Sequence, residues 1–188
     1  MLDKTMTAAQ HDATITLDDD YTFLIGTYSD MDVLAHQPHA PTEGEGIHTA
    51  TIAKNGQITK GVSHGVLNPA VLVPHTNGSM LYAIVETINS TGMVLQYGIG
   101  ADKALTEQGT YYASCKSTCY LALSPQKDAA CVINYWDAIV DVCEVDAEGR
   151  LGQTVQSFKQ LHRKPGEWRQ VEYREDHWVS RQVGPHAR

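Results

Sequence analysis

Apolar residues in this chain cluster in short runs of five to seven positions, rich in β-branched and aromatic side chains and separated by Gly, Asn, Pro, Ser and Asp. No segment carries a 3.6-residue apolar stripe. Runs of this length can in isolation be buried helix turns, but the punctuation predicts strands. The runs repeat. Gly46, Gly92 and Ala138 each open a run and lie 46 residues apart, and Ile58, Leu105 and Leu151 close the same units at spacings of 47 and 46. A period of roughly 40 to 50 residues filled with short strands is the signature of propeller blades of four strands each. The competing reading is an antiparallel sandwich with accidental spacing.

Each copy reads strand by strand. Asn68-Pro69-Ala70-Val71-Leu72-Val73 answers to Ser117-Thr118-Cys119-Tyr120-Leu121-Ala122 as an inner strand. The turn pieces Thr76-Asn77-Gly78-Ser79 and Ser124-Pro125-Gln126-Lys127-Asp128 follow. Second strands come next, Leu81–Val85 and Ala130–Ile133, and Phe23–Thr27 is an earlier copy without its inner strand. Third strands, Met93–Tyr97 and Ile139–Cys143, lead into the polar turns Gly100–Lys103 and Asp146–Arg150. Ser29 to Glu45, with Pro38 and Pro41, reads as a long loop within the incomplete first blade. The prediction is an all-β chain: a partial β-propeller of about three four-stranded antiparallel blades over residues 21–188, its ring not closed, preceded by a polar, flexible leader at 1–20.

Composition narrows the partners. At 188 residues with 42% hydrophobic and 19% charged positions, the chain is globular, with a sizeable core. No apolar stretch reaches the roughly 20 residues needed to span a bilayer, and Met1 to Asp20 lacks a secretory pattern. A formal net charge of −8 argues against a nucleic-acid partner, since phosphates are gripped by Lys and Arg patches. Cys115, Cys119, Cys131 and Cys143 fall in or beside strands, and no second ligand pair follows Cys115–Cys119, so they read as free thiols in a cytoplasmic protein. Open blade edges would invite self-association.

Phe23-Leu24-Ile25-Gly26-Thr27-Tyr28, then Glu45-Gly46-Ile47, Asn68-Pro69, Leu81-Tyr82-Ala83, Asn134-Tyr135 and Arg181-Gln182 before Pro185-His186 follow one another in a recognisable order. From about Tyr21 onward they resemble the first half of the seven-bladed propeller lactonases, the family of propeller-type 6-phosphogluconolactonase and carboxy-cis,cis-muconate cyclase. The resemblance implies opening of a small anionic lactone or, in the cyclase, its formation, without metal or cofactor. It also assigns roles. Glu86 holds the position of a glutamate that closes the second strand, and Asn134 and Tyr135 hold the matching end in the next copy. Family members show an Arg-Gln pair, two spacers, then Pro-His and a second histidine two residues on; here Arg188 replaces the latter. His186 is thus the candidate general base or acid together with Glu86, and Arg181 the anion clamp, with Asn134 and Tyr135 as substrate contacts. A second pair, Arg169-Gln170, lies in an extra stretch from Trp168 to Trp178, but the distance to Pro185-His186 favours Arg181-Gln182. Thr118-Cys119-Tyr120 stands where the family commonly shows Pro-Cys-His. His36, His39, His64 and His75 are expected in surface loops. A non-catalytic propeller fragment or binding scaffold is the alternative from a different class.

Overall fold

The computed structural model describes residues 17–34, 42–101 and 103–160. These residues form eleven strands and no helix. They are β1 (Tyr21–Gly26), β2 (Ile47–Ile52), β3 (Ile58–His64), β4 (Pro69–Pro74), β5 (Met80–Val85), β6 (Met93–Ile99), β7 (Leu105–Tyr112), β8 (Thr118–Leu123), β9 (Ala129–Asn134), β10 (Ile139–Val145) and β11 (Leu151–Lys159). They pair into three antiparallel sheets in the orders β1-β2-β3, β4-β5-β6-β7 and β8-β9-β10-β11. None of the sheets closes on itself. These are propeller blades, and the first lacks an inner strand among the described residues, as the repeat predicted.

The repeat residues mark strand starts. Gly46, Gly92 and Ala138 each precede the third strand of a blade, and Ile58, Leu105 and Leu151 each begin the outer strand. Gly46 and Ala138 adopt positive φ, +103° and +53°. At Gly46 an added Cβ would also meet the backbone of Val66 and His64, so both conformation and space select glycine there.

Blade 2 is the middle layer, which explains why β5 reads as an unbroken apolar run: every residue in it is buried. Tyr82 and Ile84 point into a core shared with blade 3, alongside Val94, Tyr111, Leu121, Ala130, Val132 and Cys143. Leu81, Ala83 and Val85 point the other way, into a core with Ile47 and Val66. Each Leu, Ile or Val among them contributes roughly 1.5–3 kcal/mol by leaving water. Polar bonds sew the same interface. Tyr82 donates its hydroxyl to Gly149 O, the Leu151 N–H donates to Gln96 Oε1 at 2.7 Å, and the hydroxyls of Tyr111 and Thr154 meet at 2.7 Å.

A buried carboxylate fixes blade 3. Asp141 on β10 accepts from the Ser114 N–H at 2.9 Å, the Ser114 hydroxyl at 2.7 Å, Asn134 Nδ2 at 2.9 Å and the Ser157 hydroxyl at 2.6 Å. It thereby ties the linker after β7 to β9, β10 and β11. Burial alone would raise its pKa, but these hydrogen bonds, led by that from Ser157, hold the carboxyl below the ordinary aspartate range.

The 46-residue beat does not carry facing with it. Gly92 O and Ala138 O accept from Ala113 N and Gln160 N, just past the outer strands, whereas Gly46 O accepts from Thr27 N, just past β1, at 2.9 Å. Glu86 N and Tyr135 N, at the repeat position of Thr27, donate inward to Asn68 O and Ser117 O. Blade 1 is therefore out of phase by one residue, and in a strand one residue reverses every side chain. Leu24 and Ile47 pack toward blade 2, while Tyr21, Phe23 and Ile25 turn outward, 47%, 49% and 45% exposed. Without an inner strand on β1 among the described residues, nothing on that edge pins the phase that blades 2 and 3 share.

Candidate functional site

The ends of β1, β5 and β9 lie at one end of the blades, and the residue after each strand, Thr27, Glu86 and Tyr135, stands on the common rim. Glu86 is partly buried, and its Oε2 accepts a hydrogen bond from the Tyr28 hydroxyl at 3.0 Å. This contact spans 58 residues and joins blade 1 to blade 2. Among the described residues Glu86 Oε1 takes no hydrogen bond. Burial, reinforced by the bond to Glu86 and its charge, pushes the Tyr28 hydroxyl up to about 12. Tyr28 therefore stays a neutral donor across the physiological range, with one carboxylate oxygen anchored and the other available.

Asn68 makes this pairing possible. It sits just before β4 with φ +39°, fully buried, and its Oδ1 accepts from the N–H groups of Ser29 and Asp30 at 2.8 and 2.9 Å. Its Nδ2 donates to Asp30 O at 2.6 Å and to Glu86 O at 3.3 Å. One amide thus fastens the segment after β1, including Tyr28, onto the end of β5. Asparagine tolerates the left-handed region better than most residues, which suits it to this position.

Cys119, the second residue of β8, brings blade 3 to the same rim. Burial and the nearby Glu86 carboxylate both raise its thiol pKa, and the backbone of Tyr135 hydrogen-bonds to it. Tyr28, Glu86, Cys119 and Tyr135 are thus gathered from three blades. Tyr135 is 55% exposed at this rim. Asn134 lies beneath it, fully buried, its Oδ1 accepting from the Thr118 hydroxyl at 2.7 Å and its Nδ2 donating to Asp141. Its amide is engaged inside blade 3, where it holds the strand end that presents Tyr135.

His186 and Arg181 lie outside the described residues, as do His36, His39 and the Arg169-Gln170 pair. The surface-loop expectation does not hold for the other two histidines. His64 ends β3 and is half-buried, and His75 is buried in the turn after β4, edge-on to Tyr82 and covered by Gly149 of the next blade. The turn is buried because the β10–β11 turn of blade 3 packs over it. None of the four cysteines is in a disulfide, and burial pushes Cys143 up to about 12. No group of three or more His, Cys, Asp or Glu side chains among the described residues is arranged to hold a metal ion. No described helix is long and apolar enough to cross a membrane.

A family model described as Lactonase, 7-bladed beta-propeller, matches residues 22–187. The chain belongs to this lactonase family. Among solved structures, a candidate 6-phosphogluconolactonase from Bacteroides uniformis is similar over 79% of this chain and 40% of its own, at 23% identity and TM-score 0.64. A second candidate 6-phosphogluconolactonase, from Bacteroides fragilis, aligns with 82% of this chain and 40% of its own, at 21% identity and TM-score 0.64. The periplasmic gluconolactonase of Pseudomonas aeruginosa aligns with 74% of this chain and 39% of its own, at 21% identity and TM-score 0.61. These likenesses establish the fold, and this lactonase-family chain spans about 40% of the length of those proteins. No curated protein matches the chain.

Proposed function

We propose that this chain supplies part of a lactonase that hydrolyses 6-phosphogluconolactone or a similar small anionic lactone. The observation that carries the reading is the rim carboxylate Glu86, held through Oε2 by Tyr28 on a lactonase-family scaffold. Opening a lactone needs a water deprotonated as it attacks the carbonyl, a donor for the oxyanion, and a holder for the substrate's anionic end. Glu86 Oε1 is suited to accept the proton, and the Tyr28 hydroxyl keeps the carboxylate from swinging away. His186 is the second proton-transfer group and Arg181 the clamp for phosphate or carboxylate. Tyr135 offers an exposed ring to the sugar, with Asn134 setting its height from below. Four cysteines with no disulfide among them favour a cytoplasmic setting. Carboxymuconate cyclase chemistry would use the same groups and is separated by assaying lactone formation from the open-chain substrate.

The test is lactone hydrolysis followed by proton release. Glu86→Gln keeps size and hydrogen bonding but removes the base, and the rate should fall by about 10² to 10³. Arg181→Ala should chiefly raise KM. An unchanged rate in Glu86→Gln would reject the assignment of Glu86 as base, and no hydrolysis by the parent chain would favour the non-catalytic scaffold.

A further inference from the structure

On blade 1 a run of polar side chains is joined end to end. His48 of β2 sits between two hydroxyls: its Nδ1 lies 2.9 Å from Ser63 Oγ on β3, and its Nε2 lies 3.2 Å from Thr27 Oγ1, just past β1. Ser63 in turn donates its hydroxyl to Glu45 Oε2 at 3.0 Å, and Lys60 Nζ donates to the same oxygen at 3.1 Å. At the other end, Thr27 Oγ1 lies 2.9 Å from Gly46 O and accepts from the Gly46 N–H at 3.3 Å. The His48 side chain is only 12% exposed, so protein groups supply its partners. Its cross-strand neighbour on β1 is the apolar Ile25, and the charged groups on the neighbouring turn and on β3 are Glu45, 3.9 Å from Nδ1, and Lys60.

Counting donors fixes the direction of this chain. Hydrogen bonds from Lys60 and Ser63 hold the Glu45 carboxyl below the ordinary glutamate range, so Glu45 only accepts. Ser63 has one hydroxyl proton and gives it to Glu45, so its oxygen must accept from His48 Nδ1–H. Nε2 of the neutral ring then bears no proton and accepts from the Thr27 hydroxyl. A proton taken up from solvent lands on Nε2, which becomes a donor to Thr27 Oγ1, and the Thr27 hydroxyl must turn to Gly46 O, already 2.9 Å away. Every group keeps a partner in both arrangements, so neither is penalised by an unmet buried donor.

We infer that Glu45, Ser63, His48 and Thr27 form a two-state proton relay, which turns the Thr27 hydroxyl from His48 to Gly46 when the His48 ring is protonated. Gly46 O already accepts from the Thr27 N–H at 2.9 Å, so the protonated state closes this end of the β1–β2 pair with a second bond. Tyr28, whose hydroxyl holds Glu86, is the next residue, and its carbonyl accepts from Gly44 N. Proton uptake on blade 1 is thereby felt in the segment that carries Tyr28 to the rim. The relay is independent of lactone chemistry.

Imidazole and carbonyl NMR on the isotopically labelled chain tests it, with the His48 signals identified by their loss in His48→Gln. At about pH 8 the neutral His48 ring of the parent should carry its proton on Nδ1. Ser63→Ala removes the acceptor for that proton, which should move to Nε2. The Gly46 carbonyl carbon of Ser63→Ala should then show at about pH 8 the shift that the parent reaches only at about pH 5. Thr27→Val keeps the branching without the hydroxyl: the ring should still take up a proton, but the Gly46 carbonyl carbon should lose most of its movement with pH. Amide spectra like the parent's in blades 2 and 3 confirm that the variants are folded. A parent ring protonated at Nε2, a Ser63→Ala ring still protonated at Nδ1, a ring that gains no proton down to about pH 5, or a Gly46 carbonyl that follows pH equally with and without the Thr27 hydroxyl overturns the inference.

Discussion

Replacing Asp141 with alanine is expected to lower the unfolding free energy by about 3 kcal/mol, since buried donors left without an acceptor cost about 1–3 kcal/mol and several share this one. The carboxylate is the common acceptor for Ser114, Asn134 and Ser157, and Asn134 in turn holds Thr118 at the start of β8. For a chain of this size the melting temperature should fall by roughly 6–12 °C. Asp141→Asn should cost less, because the amide retains one acceptor. The pH dependence follows from a folded-state pKa held below the ordinary value. A depressed carboxyl stabilises the fold above its unfolded value, near ~3.9, and that share is lost as pH falls through the folded value. The gap between the parent and Asp141→Asn should therefore be full at neutral pH and shrink below about pH 4. Urea midpoints at pH 7 and pH 3.5 check it; a gap that widens in acid contradicts the sign.

Tyr82→Ala should be at least as costly, about 3–5 kcal/mol by the scale of aromatic truncations in cores. The ring is fully buried between blades 2 and 3, edge-on to His75, and its hydroxyl donates to Gly149 O. Alanine leaves a cavity at the centre of that interface and an unmet carbonyl on the neighbouring turn. Tyr82→Phe separates the two losses: it keeps the packing and removes only the hydrogen bond, for about 1 kcal/mol. Burial, with the charge of Asp146 adding to it, pushes the Tyr82 hydroxyl up to about 12, so the bond to Gly149 persists through neutral pH. Equal midpoints for Tyr82→Ala and Tyr82→Phe would show that the ring does not support the interface.

The blade plan was legible because period and punctuation are local properties. Gly46, Gly92 and Ala138 could be matched by counting, and each precedes a third strand. Facing in blade 1 was not legible, because it depends on which neighbour receives the Thr27 N–H, and both phases place Phe23 in a strand. Of the proposed site, Glu86 and Tyr135 come from the resemblance to the propeller lactonases, and the structure places both just past strand ends on one rim. Tyr28 belonged to a quoted motif, but its bond to Glu86 crosses 58 residues and no spacing rule announces it. The repeat places Asn68 at the start of an inner strand; β4 begins one residue later, and the buried Asn68 amide fastens the blade 1 segment to the rim. The resemblance implies a substrate contact at Asn134, whose buried amide donates to Asp141, a pairing visible only once β9 and β10 are in register.

The function proposed above requires a small anionic lactone, and the sugar acid it opens to, to bind at the rim where Tyr28, Glu86, Cys119 and Tyr135 meet. Titrating the isotopically labelled protein with 6-phosphogluconate and following backbone amides by NMR tests it most directly, because binding is read without turnover. Saturable shifts should appear at residues 28, 86, 87, 119 and 135, and fade in Glu86→Gln and Arg181→Ala. Shifts confined to the opposite turns, around Asn77, Asp128 and Gly149, or none at all, would contradict the account.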